Sequence, residues 1–407
     1  MKMKKSLALA MATTLVVSSF AGCGSDEKAA NKNAAGSDKK AESVASLGEA
    51  IEKGAAITKG NIDGKINVTV KGAELTGDLA ESEYAELIGI KDDTLTLGLT
   101  YAGETDGKNS SCTVGINVND KIKADLLEML AVDSTAYVNV TKLVDGVFGV
   151  AADFTGMKAD ELKAQISLPA GSYLKLTEEN IKDLFEGTEY EYAFSGALGN
   201  AESAANEEYI KKVEEFGKYA IKLIDEGIKK GDKDAYKEND GTFTLTINKS
   251  NINKILTGVV TVASDNSEEF VTKLDDLYKE IAGTSLGIDA ETFKTTLESV
   301  KNYDVASLMG DYDFSVSISS AYKAGEWTFG VDFSLSEGDQ SVAFDFTNVM
   351  KENDKVSIEA PTDLISDEDT QSLLSQVKSL LQNTSATENK LNDDYEDYDF
   401  EDIGLED

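Results

Sequence analysis

Apolar residues recur at every second position through long stretches of this chain. Ile66, Val68 and Val70 alternate with Lys65, Asn67 and Thr69, and Leu95, Leu97, Leu99 and Tyr101 alternate with Thr96, Gly98 and Thr100. Cys112, Val114, Ile116 and Val118 repeat the pattern. It returns late in the chain as Tyr312, Phe314, Val316 and Ile318, then Trp327, Phe329, Val331, Phe333 and Leu335, then Val342, Phe344 and Phe346. A strand turns successive side chains to opposite faces, so period two with one polar face predicts an antiparallel sheet wetted on one side. Further strands are expected over 136–141, 189–194, 242–248 and 355–359. Turns are expected over 103–111, 337–339 and 351–354, where small and polar residues cluster.

Between the two strand-rich ends the period changes. Tyr209, Val213, Phe216, Ala220, Leu223, Ile224 and Ile228 fall on one stripe of a long amphipathic helix. Shorter helices are expected over 177–185, with Thr177 as cap and Asn180 at the third helical position, and over 252–260, 270–281 and 293–300. A late helix carries Leu373, Leu374, Val377, Leu380 and Leu381, and a short one lies near 44–52. The segment 121–132 fits either period. Strands at both ends with helices between them predict an α+β fold: a curved, mainly antiparallel β-sheet with helices packed on its apolar face, over residues 43–384. The alternative is two domains divided within 200–240, where 231–241 is the most linker-like stretch, though it reads equally as the turn into a strand over 242–248. Tyr101-Ala-Gly-Glu and Tyr322-Lys-Ala-Gly-Glu are both read as hairpin turns.

Composition narrows the chemistry. The 39 cationic residues are all Lys, and the chain has no Arg and no His. His-dependent triads, dyads and metal sites are therefore excluded, as are arginine fingers. A net charge of −36 argues against nucleic acid, which needs clustered cations. Ser375-Gln376-Val377-Lys378 matches S-x-x-K and Ser264-Asp265-Asn266 matches S-D-N, but the order is reversed and no K-T-G follows, so a serine-lysine enzyme is not expected. Cys112 falls on the apolar face, where a thiol acts as a small hydrophobe. The segment 232–236 lacks the fifth-position ligand and the following glycine of a calcium loop, so no metal site and no cofactor are expected. The run 393–407 has nine acids and no Lys. It ends an acidic, disordered tail over 385–407, read as a solubilising end, with docking to a cationic partner as the other reading.

The N-terminus carries its own signal. Lys2, Lys4 and Lys5 precede a short apolar run from Leu7 to Val17, and then comes Ser19-Phe20-Ala21-Gly22-Cys23. This resembles the bacterial lipobox of Gram-positive type, with Phe20 where Leu is usual. The resemblance implies cleavage before Cys23, a leader over 1–22, and a diacylglyceryl group on the Cys23 thiol. Two acyl chains hold a protein stably where one does not. Residues 23–42 read as a flexible tether, which places the body outside the cytoplasmic membrane, anchored to its outer face.

A lipobox, a tether, a short first helix and about eleven one-faced strands are together similar to the half-barrel fold of lipoprotein carriers and mycobacterial lipid-binding lipoproteins. The segment Ala136-Tyr137-Val138-Asn139-Val140, followed by Thr141-Lys142-Leu143-Val144, is similar to a strand-then-short-helix element of such lipoproteins. The resemblance implies a curved sheet whose concave side, partly plugged by helices, holds acyl chains or another apolar ligand; taken with the rest of the sequence, the expectation is a non-enzymatic, lipid-anchored protein that binds lipid or another apolar or amphipathic ligand, or another envelope component. The residues chosen to line an inner trough are Trp327, Phe329, Val331 and Phe333, with Phe314 and Phe344 as neighbours; membership of an ordinary core is the other reading. Two further classes are an extracytoplasmic solute-binding lipoprotein of a transporter, built from parallel α/β lobes, and a structural envelope protein without ligand.

Overall fold

The computed structural model describes residues 44–82, 84–133, 135–155, 158–164, 169–177, 179–180, 183, 207–301, 303–376 and 378. The early strands are β1 (Gly60–Lys71), β2 (Thr94–Thr105), β3 (Ser110–Val118), β4 (Ile122–Val132), β5 (Thr135–Asn139) and β6 (Tyr173–Leu176). The late ones are β7 (Tyr236–Asn239), β8 (Thr242–Asn248), β9 (Asp313–Lys323), β10 (Glu326–Glu337) and β11 (Gln340–Glu352). All eleven join one sheet in the order β6-β5-β4-β3-β2-β1-β11-β10-β9-β8-β7, open and curled.

Tight reversals dictate that order. Asp240-Gly241 between β7 and β8, and Ala324-Gly325 between β9 and β10, both have positive φ at the two loop positions. That is the primed turn whose twist matches paired antiparallel strands. Such turns close the β7–β8 and β9–β10 hairpins, while longer, helix-bearing connections carry β1 to β2, β5 to β6 and β8 to β9. The halves are stitched by β1 and β11, antiparallel from Gly60↔Glu352 to Lys71↔Ser341. The late strands thus complete the early sheet. The single large antiparallel sheet with its helices is an α+β fold.

The helices are α1 (Leu47–Ala55), the short α2 (Ala73–Thr76) and α3 (Asp78–Glu81), α4 (Val140–Thr155), α5 (Ala159–Lys163) and α6 (Glu207–Gly231). They continue with α7 (Ile252–Asp265), α8 (Ser267–Ala282), α9 (Ala290–Val300) and α10 (Val305–Leu308). Ser46 caps α1, its Oγ accepting the Glu49 N–H at 3.1 Å, while Glu49 Oε2 accepts the Ala45 N–H at 2.8 Å. The helix then buries Leu47 and Ala50 with Phe243 and Leu245 of β8, Ile228 of α6 and Ile255 of α7. Burial of one such Ile or Leu side chain is worth about 2 kcal/mol.

Two smaller cores lie at the other flank. Leu174 packs with Ile365 and Leu374 on the side of Val138 and Leu176, so the helical run over 367–376 covers β5 and β6. On the opposite side Val132 and Tyr137 pack with Val356 and Ile358.

Helix α4 follows a different route. β5 pairs only with the 129–132 half of β4. The chain then turns helical, and Gly146 comes so close that a Cβ there would lie 2.3 Å from the Asp125 carbonyl oxygen. A helix therefore shields the stretch of β4 that β5 leaves unpaired.

Several expectations need correction. The segment 355–359 is irregular rather than a strand, although its alternation is real, since Val356 and Ile358 are both buried. Its backbone turns to a side chain instead of a ladder, with the Ile358 N–H donating to Asp106 Oδ2 at 3.2 Å. Of the two similar segments read as hairpin turns, 101–104 lies within β2, and only 322–326 contains a turn. The stretch 231–241 holds β7 and the turn into β8, the second of its two readings, rather than a linker between domains. The segment 121–132, which fitted both periods, is β4. The helix after β5 runs sixteen residues rather than one short turn. Thr177 and Asn180 form the expected reciprocal cap, with Asn180 N–H donating to Thr177 Oγ1 at 3.2 Å and Thr177 N–H to Asn180 Oδ1 at 3.1 Å. The strand expected over 189–194, the leader, Cys23, the tether and the acidic tail lie outside the described residues.

Candidate functional site

The residues chosen from the sequence share one face of β9, β10 and β11. Register makes them neighbours: Trp327 stands beside Tyr322 and Met350, Val331 beside Ile318 and Phe346, Phe333 beside Val316 and Phe344, and Leu335 beside Phe314. The ring centroids of Trp327 and Phe329 are 5.8 Å apart, and Phe329 meets Phe346 edge-on at 6.1 Å. These are ordinary distances for favourable aromatic pairs.

The two ends of this face differ. At the Trp327 end α1 closes over the sheet, with Gly54 against the indole, and the Trp327 Nε1–H donates to Ser320 Oγ at 2.8 Å. Ser320 is 1% exposed, so this bond satisfies a hydroxyl with no access to water. Farther along, Phe333, Phe344 and Phe314 belong to none of the buried cores among the described residues, and each ring keeps part of its surface accessible. All six chosen residues are half-buried, whereas Val342, Phe346 and Met350 on the same face are buried.

The apolar face continues onto β1 and β2 with Ile66 and Val68 buried, and Leu97 is 50% exposed. A polar contact crosses it. Tyr101 lies over Gly64 and donates its hydroxyl to Asn348 Oδ1 at 2.9 Å. Burial pushes the Tyr101 phenol above its ordinary pKa, with the neighbouring Cys112 adding to the shift. Burial likewise raises the Cys112 thiol, so the thiolate is disfavoured and Cys112 is a half-buried wall residue. Reading the sequence for aromatics missed Phe346, Tyr101 and Asn348. The first shares the period-two signal, but only the register shows that the other two meet.

The reversed S-x-x-K and S-D-N matches are not brought together. Ser264 ends α7, which packs by β8, while Ser375 lies on the helix covering β5 and β6, at the other flank of the sheet. Ser375 Oγ donates to the Gln371 carbonyl, Asp265 pairs with Lys230 at 3.2 Å, and Asn266 Nδ2 donates to the Val262 carbonyl. Among the described residues no three Cys, Asp or Glu side chains are grouped to hold a metal ion. No helix among them is long and apolar enough to cross a membrane. Comparison with known proteins found no significant match to a family model, to a curated protein or to a solved structure.

Proposed function

We propose that this protein is a non-enzymatic lipoprotein, tethered to the outer face of the cytoplasmic membrane through a diacylglyceryl group on Cys23, that binds an apolar or amphipathic ligand on its aromatic sheet face. One observation carries the ligand reading. Trp327, Phe329, Val331, Phe333, Phe314 and Phe344 form a contiguous apolar patch on three adjoining strands and remain half-buried, as do Val316, Ile318 and Leu335 beside them, although Val342, Phe346 and Met350 on the same face are buried. Side chains that served only as core would be expected to lose their remaining surface to the helices. The anchor reading rests on Ser19-Phe20-Ala21-Gly22-Cys23 and the cationic start before it. A transporter's solute-binding component would be built from parallel α/β lobes, and an all-antiparallel sheet speaks against that alternative.

The test is native mass spectrometry of the full-length protein purified from its own host, followed by organic extraction. A co-purifying lipid that is lost in Phe333→Glu and Phe344→Glu supports the ligand reading, and a consistently empty protein overturns it in favour of a structural envelope role. Cys23→Ser should release the protein from membranes with its ligand retained. An unmodified Cys23 in the mature wild-type protein would overturn the anchor.

A further inference from the structure

The apolar face of the sheet carries one polar pair near its middle. Three neighbouring rows, from Ile318 on β9 to Ile116 on β3, from Val316 to Val118, and from Phe314 to Leu95 on β2, hold only aliphatic and aromatic side chains. The row beside Ile318 runs Ser320, Phe329, Asn348, Gly64, Tyr101 and Val114. Ser320 is taken up by the Trp327 indole, which leaves Asn348 and Tyr101 as the polar groups of this row.

Gly64 lets the two meet. It stands between them on β1, and a Cβ there would lie 2.2 Å from Tyr101 Cζ. The ring therefore crosses the glycine, and its hydroxyl reaches Asn348 Oδ1 at 2.9 Å. Burial keeps that hydroxyl protonated, so it remains a donor. Donation to Oδ1 fixes the orientation of the amide and leaves Nδ2 as its unused end. Among the described residues no acceptor engages Asn348 Nδ2, and the side chain is half-buried rather than sealed. Asn348 thus offers two N–H donors at the border of an apolar expanse, the arrangement by which a few polar groups orient an apolar ligand.

Charge narrows what can use these donors. From β9 to β3 the four rows contain no Lys, Asp or Glu. An ionised carboxylate or phosphate brought there would lose water without gaining a cation. The net charge of −36 also repels anions at long range. An uncharged carbonyl oxygen is the acceptor that fits, since it costs far less to desolvate and can accept from Nδ2. The row of Asn348 lies three steps of two residues from that of Phe314, about 20 Å along the strands at roughly 3.4 Å per residue. An acyl chain attached to the carbonyl can lie along this length, over Phe344, Phe333 and Phe314.

On the reading that this face binds a ligand, we propose that the ligand is an uncharged acyl ester of the glyceride class, its ester carbonyl accepting from Asn348 Nδ2 and its acyl chain directed toward Phe314, with Tyr101 positioning the amide. The test is displacement of the apolar dye N-phenylnaphthylamine from the full chain, stripped of co-purifying lipid. The dye carries no oxygen acceptor and reports the apolar face alone. Monolauroylglycerol should displace it at a concentration about fivefold below that of dodecyl glyceryl ether, which has the same head and chain length without the carbonyl. It should also act about tenfold below laurate, which is ionised at neutral pH. In Asn348→Leu the advantage of ester over ether should vanish while dye binding stays within about twofold of wild type, and in Tyr101→Phe the advantage should shrink to about twofold. Circular dichroism and thermal melting would establish that each variant is folded, and the comparison of the three lipids on the wild type needs no variant. If the dye binds but the ether or laurate matches the ester, or if folded Asn348→Leu keeps the advantage, the ester assignment is overturned and the ligand reading stands. If neither the dye nor any of the three lipids binds, both are overturned.

Discussion

Helix α1 meets the sheet with Gly54 against the Trp327 ring, and α4 meets it with Gly146 against the Asp125 carbonyl. Both need a residue without a Cβ, but what holds each helix differs. α1 brings Ala50 to 0% exposure and Leu47 to 8%, so its docking is mainly apolar burial. α4 leaves Leu143 at 36% and Val147 at 47%, and although Val140 at its start packs against the Leu174 core, it adds ionic ties, Lys142 to Glu128 at 2.5 Å and Asp145 to Lys163 of α5 at 2.8 Å. Apolar docking hides a sheet face and resists salt. Ionic docking shields a strand edge while keeping the polar face wet.

The largest effect is expected at the α1 junction. In Gly54→Ala the new Cβ would sit 2.0 Å from Trp327 Cδ2. The indole must move, and its bond to the buried Ser320 hydroxyl breaks with it. Overpacking and a lost buried hydrogen bond together predict a destabilisation of about 3 kcal/mol in urea unfolding, far more than the gain in helix propensity of about 1 kcal/mol. The loss should be the same at low and at molar salt. A double-mutant cycle with Trp327→Ala should recover at least about 1 kcal/mol of coupling; strict additivity would mean that this contact does not dock α1.

The α4 junction should respond more weakly and with the opposite salt behaviour. Glu128→Gln removes the charge that Lys142 faces and turns one acceptor oxygen into a donor. The Lys142 side chain is 41% exposed and that of Glu128 21%, so the expected loss is about 1 kcal/mol after allowance for screening. Molar salt should shrink the difference from wild type. The hydrogen bond to Glu128 raises the Lys142 pKa against the effect of desolvation, and in Glu128→Gln its NMR titration should move down. A loss that salt leaves unchanged would make α4 another apolar dock and erase the contrast with α1.

These junctions also show how far the sequence could be read. The long strands were legible because period two survives wherever one face is apolar, and the rings of β9, β10 and β11 fell on one side for that reason. β4 was ambiguous because the register shifts between Val114 and Gly115. Ile122 and Ala124 face one way, the extra residue intervenes, and Leu127 and Met129 resume one position late, which mimics a helical stripe. β6 and β7 are four residues each, too short for periodicity to register. The Glu128, Lys142 and Tyr173 cluster was not legible, since its members lie on β4, α4 and β6 and only the pairing register brings them together.

The smallest effect tests whether the irregular segment at 356–358 belongs to the sheet or merely leans on it. Asp106 in the β2–β3 turn accepts the backbone N–H groups of Lys108 at 3.0 Å, Asn109 at 2.8 Å and Ile358 at 3.2 Å. Burial opposes ionisation, but these donors and the Asn109 side chain outweigh it and lower the pKa from 3.8 to about 2. A carboxyl whose folded pKa is depressed contributes its stabilisation in full above the unfolded value. The contribution is then lost as pH falls from about 4 to about 2. Asp106→Asn keeps one acceptor oxygen and should cost no more than about 1 kcal/mol at neutral pH, given the solvent around the turn. Wild type and variant should converge in urea stability as pH drops through that window. The protection of the Ile358 amide, its exchange rate relative to the intrinsic rate at the same pH, should fall in the variant at neutral pH and in the wild type only on acidification. An Ile358 amide that exchanges equally fast in both at neutral pH would show that Val356 and Ile358 hold this segment by burial alone, as Leu47 and Ala50 hold α1.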